Sequence, residues 1–252
     1  MLISIVNRTR ALADRDVQAA VRVINRQFSD DFEPHWHFGA RLRLDGHDRS
    51  IAAHERIAYE RSQARGDGVI YLMDAPVVSG AEGVHDLDAQ DVPYGFVFLD
   101  VCHQVKDPWT VALSHEALEL VGDPLANLLV QGPHPEDHRH RVFHQFEMCD
   151  AVQDESYEID GLPVSNFVLP AYFSRKHDAA ARTDFMGRPA RGDALRPFGL
   201  SDGGYLCFWD ARRADDKWLP WWHPDDARAA ERFNAKNAST ASRAARRLHP
   251  RG

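Results

Sequence analysis

Cysteine is scarce in this chain, and long apolar runs are missing. Cys102, Cys149 and Cys207 are the only three cysteines in 252 residues. An odd number spaced so widely excludes a disulfide framework, and the three read as buried apolar thiols. No stretch approaches the roughly 20 consecutive apolar residues of a membrane-spanning helix. The first residues also lack the charged segment, apolar segment and small-residue cleavage site of a leader. A cytoplasmic protein with no membrane partner is therefore expected. Positive charge is in deficit as well. The 30 Lys and Arg against 38 Asp and Glu leave a net charge of -8, which gives no electrostatic ground for a nucleic-acid partner. No internal repeat or low-complexity linker divides the chain. What is present is an ordinary hydrophobic fraction of 44% and enough length to bury a substantial core.

The informative stretch is Trp109 to Pro124, WTVALSHEALELVGDP. Val111, Ala112, Leu118, Val121 and Leu125 recur at helical spacing, which predicts a helix packed on the core. Asp107 suits an N-cap ahead of a first-turn proline, Pro108, and Gly122 suits the end. Residues four apart on a helix stand one above the other, so His115 and Glu119 can close on one metal ion. Glu116 then lies beside the ion. This is the arrangement of the H-E-x-x-H metallopeptidase helix, with Glu119 in place of the second histidine and Glu116 where the general base stands. The same residues also suit an ordinary amphipathic helix with a polar outer face.

Around this helix the chain alternates. Leu2 to Val6 is a β-branched run, Asp14 to Phe28 has a helical period capped by Asp14 or Asp16, and Phe38 to Leu44 alternates like a strand. A polar excursion from Asp45 to Asp67 includes a short helical stretch, Ser50 to Arg61. Val69 to Met73 and Tyr94 to Val101 are strands, separated by a Gly-rich acidic piece between Gly80 and Pro93. The order predicts a two- or three-layer α/β unit with a mixed sheet. Downstream, His134, His138, His140 and His144 fall among prolines and charges and read as a mobile surface loop rather than a zinc module. Asp160 and Gly161 signal a hairpin. A turn and strand follow from Phe198 to Asp210, then a tryptophan-rich stretch, a helix from Asp225 to Lys236, and a basic tail carrying Arg243, Arg246, Arg247 and Arg251. Trp209, Trp218, Trp221 and Trp222 suit buried packing or a substrate-facing aromatic surface.

Five blocks together resemble a family of uncharacterised bacterial and phage zincin-like proteins with an S-H-E-x-L-E helix. They are QFSDDFEPHW (Gln27 to Trp36), GVHDL (Gly83 to Leu87), SHEALELVGDP (Ser114 to Pro124), FEMCDAVQDESYEIDGLPVSNFVLPAYF (Phe146 to Phe173) and PFGLSDGGY (Pro197 to Tyr205). The resemblance implies a zincin-like α/β (α+β) fold, metzincin-like in topology, with an active-site helix and an irregular C-terminal subdomain. Its parts would be an N-terminal half (residues 1–124), a half completing the site (125–222), and a C-terminal helix and tail (223–252). By the same likeness, Val77 to Asp86 would be an antiparallel edge strand lining the cleft, with Tyr94 to Val101 next to it. His85 would then stand near the substrate, or else simply serve the GVHDL turn.

A catalytic zinc needs about three protein ligands and an open position. Beyond His115 and Glu119, the likeness favours Glu147 as the third, with Asp150 as runner-up; Asp123 suits a capping or supporting role. Tyr157 or Tyr172 would supply an oxyanion donor, unless both serve packing. The expected function is a zinc-dependent peptidase acting on a peptide or protein substrate, with Glu116 as base. The carboxylate-rich ligand set also admits iron or manganese chemistry, and a zincin-like module that binds without turnover is the other alternative.

Overall fold

A computed structural model describes residues 1–45, 66–75, 83–87, 91–174, 181–213 and 218–231. The helical stretch expected at Ser50 to Arg61 and the basic tail lie outside these residues, as does most of the segment before Gly83.

The first sheet is built around β1 (Leu2–Asn7), which pairs in parallel with β2 (Arg41–Asp45) on one side and β3 (Gly68–Met73) on the other. β5 (Pro93–Phe98) adds in parallel to β3, and β4 (Gly83–Leu87) closes that edge antiparallel to β5. The order is β2-β1-β3-β5-β4. The chain is thus α/β, and its mixed sheet has an antiparallel edge strand at Gly83–Leu87, overlapping the expected Val77 to Asp86, whose earlier part lies outside the described residues.

α1 (Asp14–Arg26) buries Val17, Ala20, Val21, Val23 and Ile24 against one face of the sheet, where Ile3, Ile5, Ile70, Leu72 and Val97 point. The other face carries Val69, Tyr71, Phe96 and Phe98. Burial on both faces explains why these strands read as nearly continuous apolar runs. Neither Asp14 nor Asp16 caps α1. Ala13 takes the N-cap position and Asp14 Oδ1 accepts from Asn7 Nδ2 at 2.8 Å. The helix also outruns its expected end. It widens into a π-helical turn, Gln27–Phe32, and closes in α2 (Glu33–Trp36), stopped by His37 at φ 60°. The wider turn aims the buried Gln27 side chain at the Ser165 carbonyl, 2.8 Å away.

Tyr94 to Val101 is not strand throughout. It turns at Phe98 into α3 (Leu99–Val105), which the β-branched and aromatic run concealed. α4 (Trp109–Gly122) follows. Its N-cap is Pro108 rather than Asp107, whose carboxylate instead faces Arg228 Nη2 at 3.4 Å.

The C-terminal half is more regular than its sequence announces. β6 (Leu129–Pro133), β7 (Arg141–Gln145), β12 (Leu206–Trp209) and β13 (Trp218–Trp221) form an antiparallel sheet, order β13-β12-β7-β6. β8 (Ser156–Ile159) and β9 (Leu162–Ser165) make the expected hairpin, with Asp160 and Gly161 both at positive φ. A smaller hairpin joins β10 (Pro189–Ala190) to β11 (Asp193–Ala194). Residues 227–231 are helical, and Asp226 accepts from Ala229 N at 3.0 Å as the cap. One core cluster runs from Ile3 to Leu206 through both halves. No helix among the described residues is long and apolar enough to cross a membrane.

Candidate metal centre

α4 is held at fixed height by two polar bonds to β9. Thr110 Oγ1 donates to the Pro163 carbonyl at 2.7 Å, and Ser114 Oγ accepts the Ser165 N–H at 2.7 Å. β9 covers Thr110 and Ser114, while β4, β5 and α3 pack against other parts of the helix, and every position from Thr110 to Gly122 is buried. The helix is therefore not an amphipathic one with a polar outer face, nor does it present that face to an open cleft. His115 and Glu116 are each 3% exposed and Glu119 is 0%. Leu125, read with the core residues, lies beyond the helix end at 51% exposure.

The segment after β7 packs beneath this helix. A side chain at Gly122 would come within 2.5 Å of Met148 Cε, so glycine there is what lets the buried Met148 under the last turn. The backbone around Met148 is tied on both sides, by Val168 N to the Met148 carbonyl (2.8 Å) and by Tyr205 N to the Asp150 carbonyl (3.1 Å). Glu147, Cys149 and Asp150 are all buried as a result.

The docking assembles the predicted residues around Glu119. His115 Nε2 lies 3.2 Å from Glu119 Oε2 and 3.4 Å from Asp150 Oδ1. The other oxygen of Glu119 accepts the Cys149 N–H at 3.3 Å. Two sets of potential ligand atoms lie within 4.8 Å of one another, His115 with Glu119 and Cys149, and Glu119 with Glu147 and Asp150. Glu147 thus reaches the cluster through Glu119 and Asp150, whereas Asp150 faces His115 directly. Cys149 is a buried thiol outside any disulfide, as expected, and its sulfur lies within 4.8 Å of ligand atoms of His115 and Glu119. A lone cysteine carries no spacing signal; only its place between Glu147 and Asp150 marks it.

The donor set fits a divalent cation. The His115 imidazole and the Glu119 and Asp150 carboxylates, all buried, form a site whose two negative charges a doubly charged ion balances, with Glu147 beside it as a further acidic group. A thiol within reach of the imidazole favours a softer metal over magnesium or calcium.

The remaining predicted residues are placed differently. Asp123 is fully buried and accepts from Asn127 N (3.0 Å) and Leu128 N (2.8 Å), so it caps the turn after α4. The Tyr157 hydroxyl donates to Asp31 Oδ2 at 2.8 Å and accepts from Gln27 Nε2 at 3.2 Å. Tyr172 is buried and donates to the Gly199 carbonyl at 2.8 Å. Burial pushes both phenol pKa values up, reinforced by Asp31 at Tyr157 and by Asp150 at Tyr172. Both stay neutral, with their protons engaged away from the cluster. His85 stands on β4, paired in register with Gly95 of β5, so GVHDL is a strand rather than a turn. β4 and β5 both pack against α4.

Of the histidines after Pro133, His134, His138 and His140 lie in the connection between β6 and β7, where His138 is exposed as a surface loop would have it and His140 is buried, while His144 lies on β7 and is buried. His140 Nε2 pairs with Asp210 Oδ1 at 2.8 Å, and both residues are buried. His144 lines a small enclosed cavity with Glu147, Asp150 and Tyr172, its Nε2 2.8 Å from the Pro133 carbonyl. Burial lowers the His144 pKa from 6.5 to about 4, against the opposing pull of that carbonyl. Between these values the unfolded chain binds a proton that the folded chain refuses. Stability is therefore fully present above pH 6.5 and falls as the pH drops through the window, by about 3 kcal/mol at its acid end. Urea unfolding across this range is expected to show a shallower decline for His144→Gln; equal slopes would remove His144 as the cause.

Comparison with family models, with characterised proteins and with solved structures finds no match for this chain.

Proposed function

We propose that the chain is a zinc-dependent hydrolase of peptide or amide bonds, zincin-like in its active-site plan. The observation that carries the reading is the cluster itself: His115 Nε2 faces Glu119 and Asp150 at 3.2 and 3.4 Å, on a helix packed beneath an antiparallel edge strand. His115 and Glu119 would hold the ion, with Asp150 as third ligand and Glu147 and Cys149 at its border. When bound, zinc supplies Lewis acidity toward a carbonyl and acidifies a water molecule. Glu116 takes the proton from the attacking water and delivers it to the leaving amine. The Cys149 N–H fixes one Glu119 oxygen, so the other is held toward His115.

A second reading is a structural metal site without turnover. The burial of His115, Glu116 and Glu119 favours it, since a site that only holds an ion has no need of access from solvent. Hydrolysis by the first reading requires a substrate carbonyl to reach residues that are 3% exposed or less.

Elemental analysis of protein purified without chelator tests both readings at their common point. About one zinc per chain is expected, falling sharply in His115→Ala and in Asp150→Ala, and less in Glu147→Ala. Loss in Glu147→Ala with retention in Asp150→Ala would exchange their roles. No metal in any sample, even after reconstitution with zinc, would sink the proposal.

A further inference from the structure

A cleft of about 1080 Å³ is lined by the β6–β7 hairpin, by residues of the segment from Ala190 to Leu200, and by Trp221. It is distinct from the buried cluster, and its lining differs in kind from the rest of an acidic chain. Pro135, Pro197 and Trp221, all partly exposed, supply apolar surface. Three arginines join them, Arg141 from β7 and Arg191 and Arg196 from the Ala190–Leu200 segment, against a single lining carboxylate, Asp193.

The three arginines are not equally committed. Arg191 sits in the tight turn of the β10–β11 hairpin at φ 52°, and its guanidinium is held by Asp202 at 3.0 Å and by Asp225 at 2.9 Å. It is structural. Among the described residues Arg196 pairs only with Asp193, 3.9 Å away with both side chains more than 80% exposed, a pair that contributes little. Arg141 forms no ion pair among the described residues. The β6–β7 hairpin and the Ala190–Leu200 segment therefore each bring one available guanidinium to a cleft that also has apolar lining. The volume is at the upper end for small-molecule pockets, which suits an extended ligand.

We propose that this cleft binds an acidic peptide segment, with carboxylates on Arg141 and Arg196 and apolar side chains against the prolines and Trp221. With a net charge of -8 the molecule repels anions at long range, so recognition depends on these two local cations. The proposal stands whether or not the cluster holds a metal. It also has a route to that cluster. Phe198 lines both the cleft and the small cavity containing Glu147 and Asp150. Its ring fits there because Gly132 has no side chain; a Cβ would meet Phe198 Cε1 at 2.5 Å. A peptide seated in the cleft is thus one aromatic ring away from the carboxylates.

The test is fluorescence anisotropy with a fluorescein-labelled octapeptide of alternating Glu and Leu, using the full chain. Its Lys–Leu counterpart and a labelled single-stranded oligonucleotide serve as comparisons. Saturable binding of the acidic peptide is expected, weakened by added salt. Arg141→Glu with Arg196→Glu should raise Kd at least about tenfold, with circular dichroism unchanged. His115→Ala should leave Kd unaltered. Absence of saturable binding would overturn the proposal, as would equal affinity of the charge-reversed variant. Tighter binding of the Lys–Leu peptide or the oligonucleotide would overturn it as well.

Discussion

Glu116→Gln is expected to keep the metal and lose hydrolysis, with turnover falling about 10²–10⁴-fold. The substitution preserves volume and planarity, so it leaves no cavity at a position only 3% exposed. What it removes is the ability to take a proton. Because Glu116 follows His115 directly, its side chain leaves the helix about 100° away from the imidazole, beside rather than on the ligand row. The measurement pairs elemental analysis with turnover on a mixed peptide library. Retained turnover would remove Glu116 as the base. Loss of metal would make it a ligand. Metal retention with no turnover by either form would leave the structural site as the better reading.

Gly204→Ala is expected to cost about 3 kcal/mol and to deplete the metal together with it. A Cβ at Gly204 would overlap the Ala151 carbonyl, which is backbone and cannot rotate aside. That carbonyl accepts from Ser201 N at 3.0 Å, and the neighbouring Asp150 carbonyl accepts from Tyr205 N at 3.1 Å. Relief of the clash must therefore move the 150–151 turn, and the Asp150 carboxylate with it. Urea denaturation alongside elemental analysis checks the coupling. A destabilised variant with full metal content would show that Asp150 is not a ligand. An undisturbed midpoint would mean that the turn shifts freely.

The parts of this chain that could be read from sequence are those fixed by local chemistry. The hairpin at Asp160 and Gly161 needs two residues at positive φ, and only a few residue types provide them. The end of α4 at Gly122 was equally plain, although the glycine also makes room for Met148, which no local pattern indicates. Burial of the whole helix was not legible. Thr110 and Ser114 look like surface residues until their bonds to Pro163 and Ser165 are known, and those partners lie some fifty positions away. The candidate site divides in the same manner. His115, Glu116 and Glu119 share one helix and could be found by spacing, whereas the choice between Glu147 and Asp150 depends on how a distant turn docks. Cys149 has no periodicity to betray it. Proline and charge after Pro133 correctly signal a loop over 134–140, but the strand at His144 and the burial of His140 against Asp210 are decided by partners outside the window.

The absence of any solvent-facing side on α4 bears on the order in which a loaded protein would be made. Ligands on the helix and ligands on the 147–150 turn are far apart in the chain and meet only when Met148 seats beneath Gly122. An ion held among them would be captured as the chain closes. It would leave only when the chain reopens, so its residence time would be set by local unfolding and not by the strength of the bonds alone.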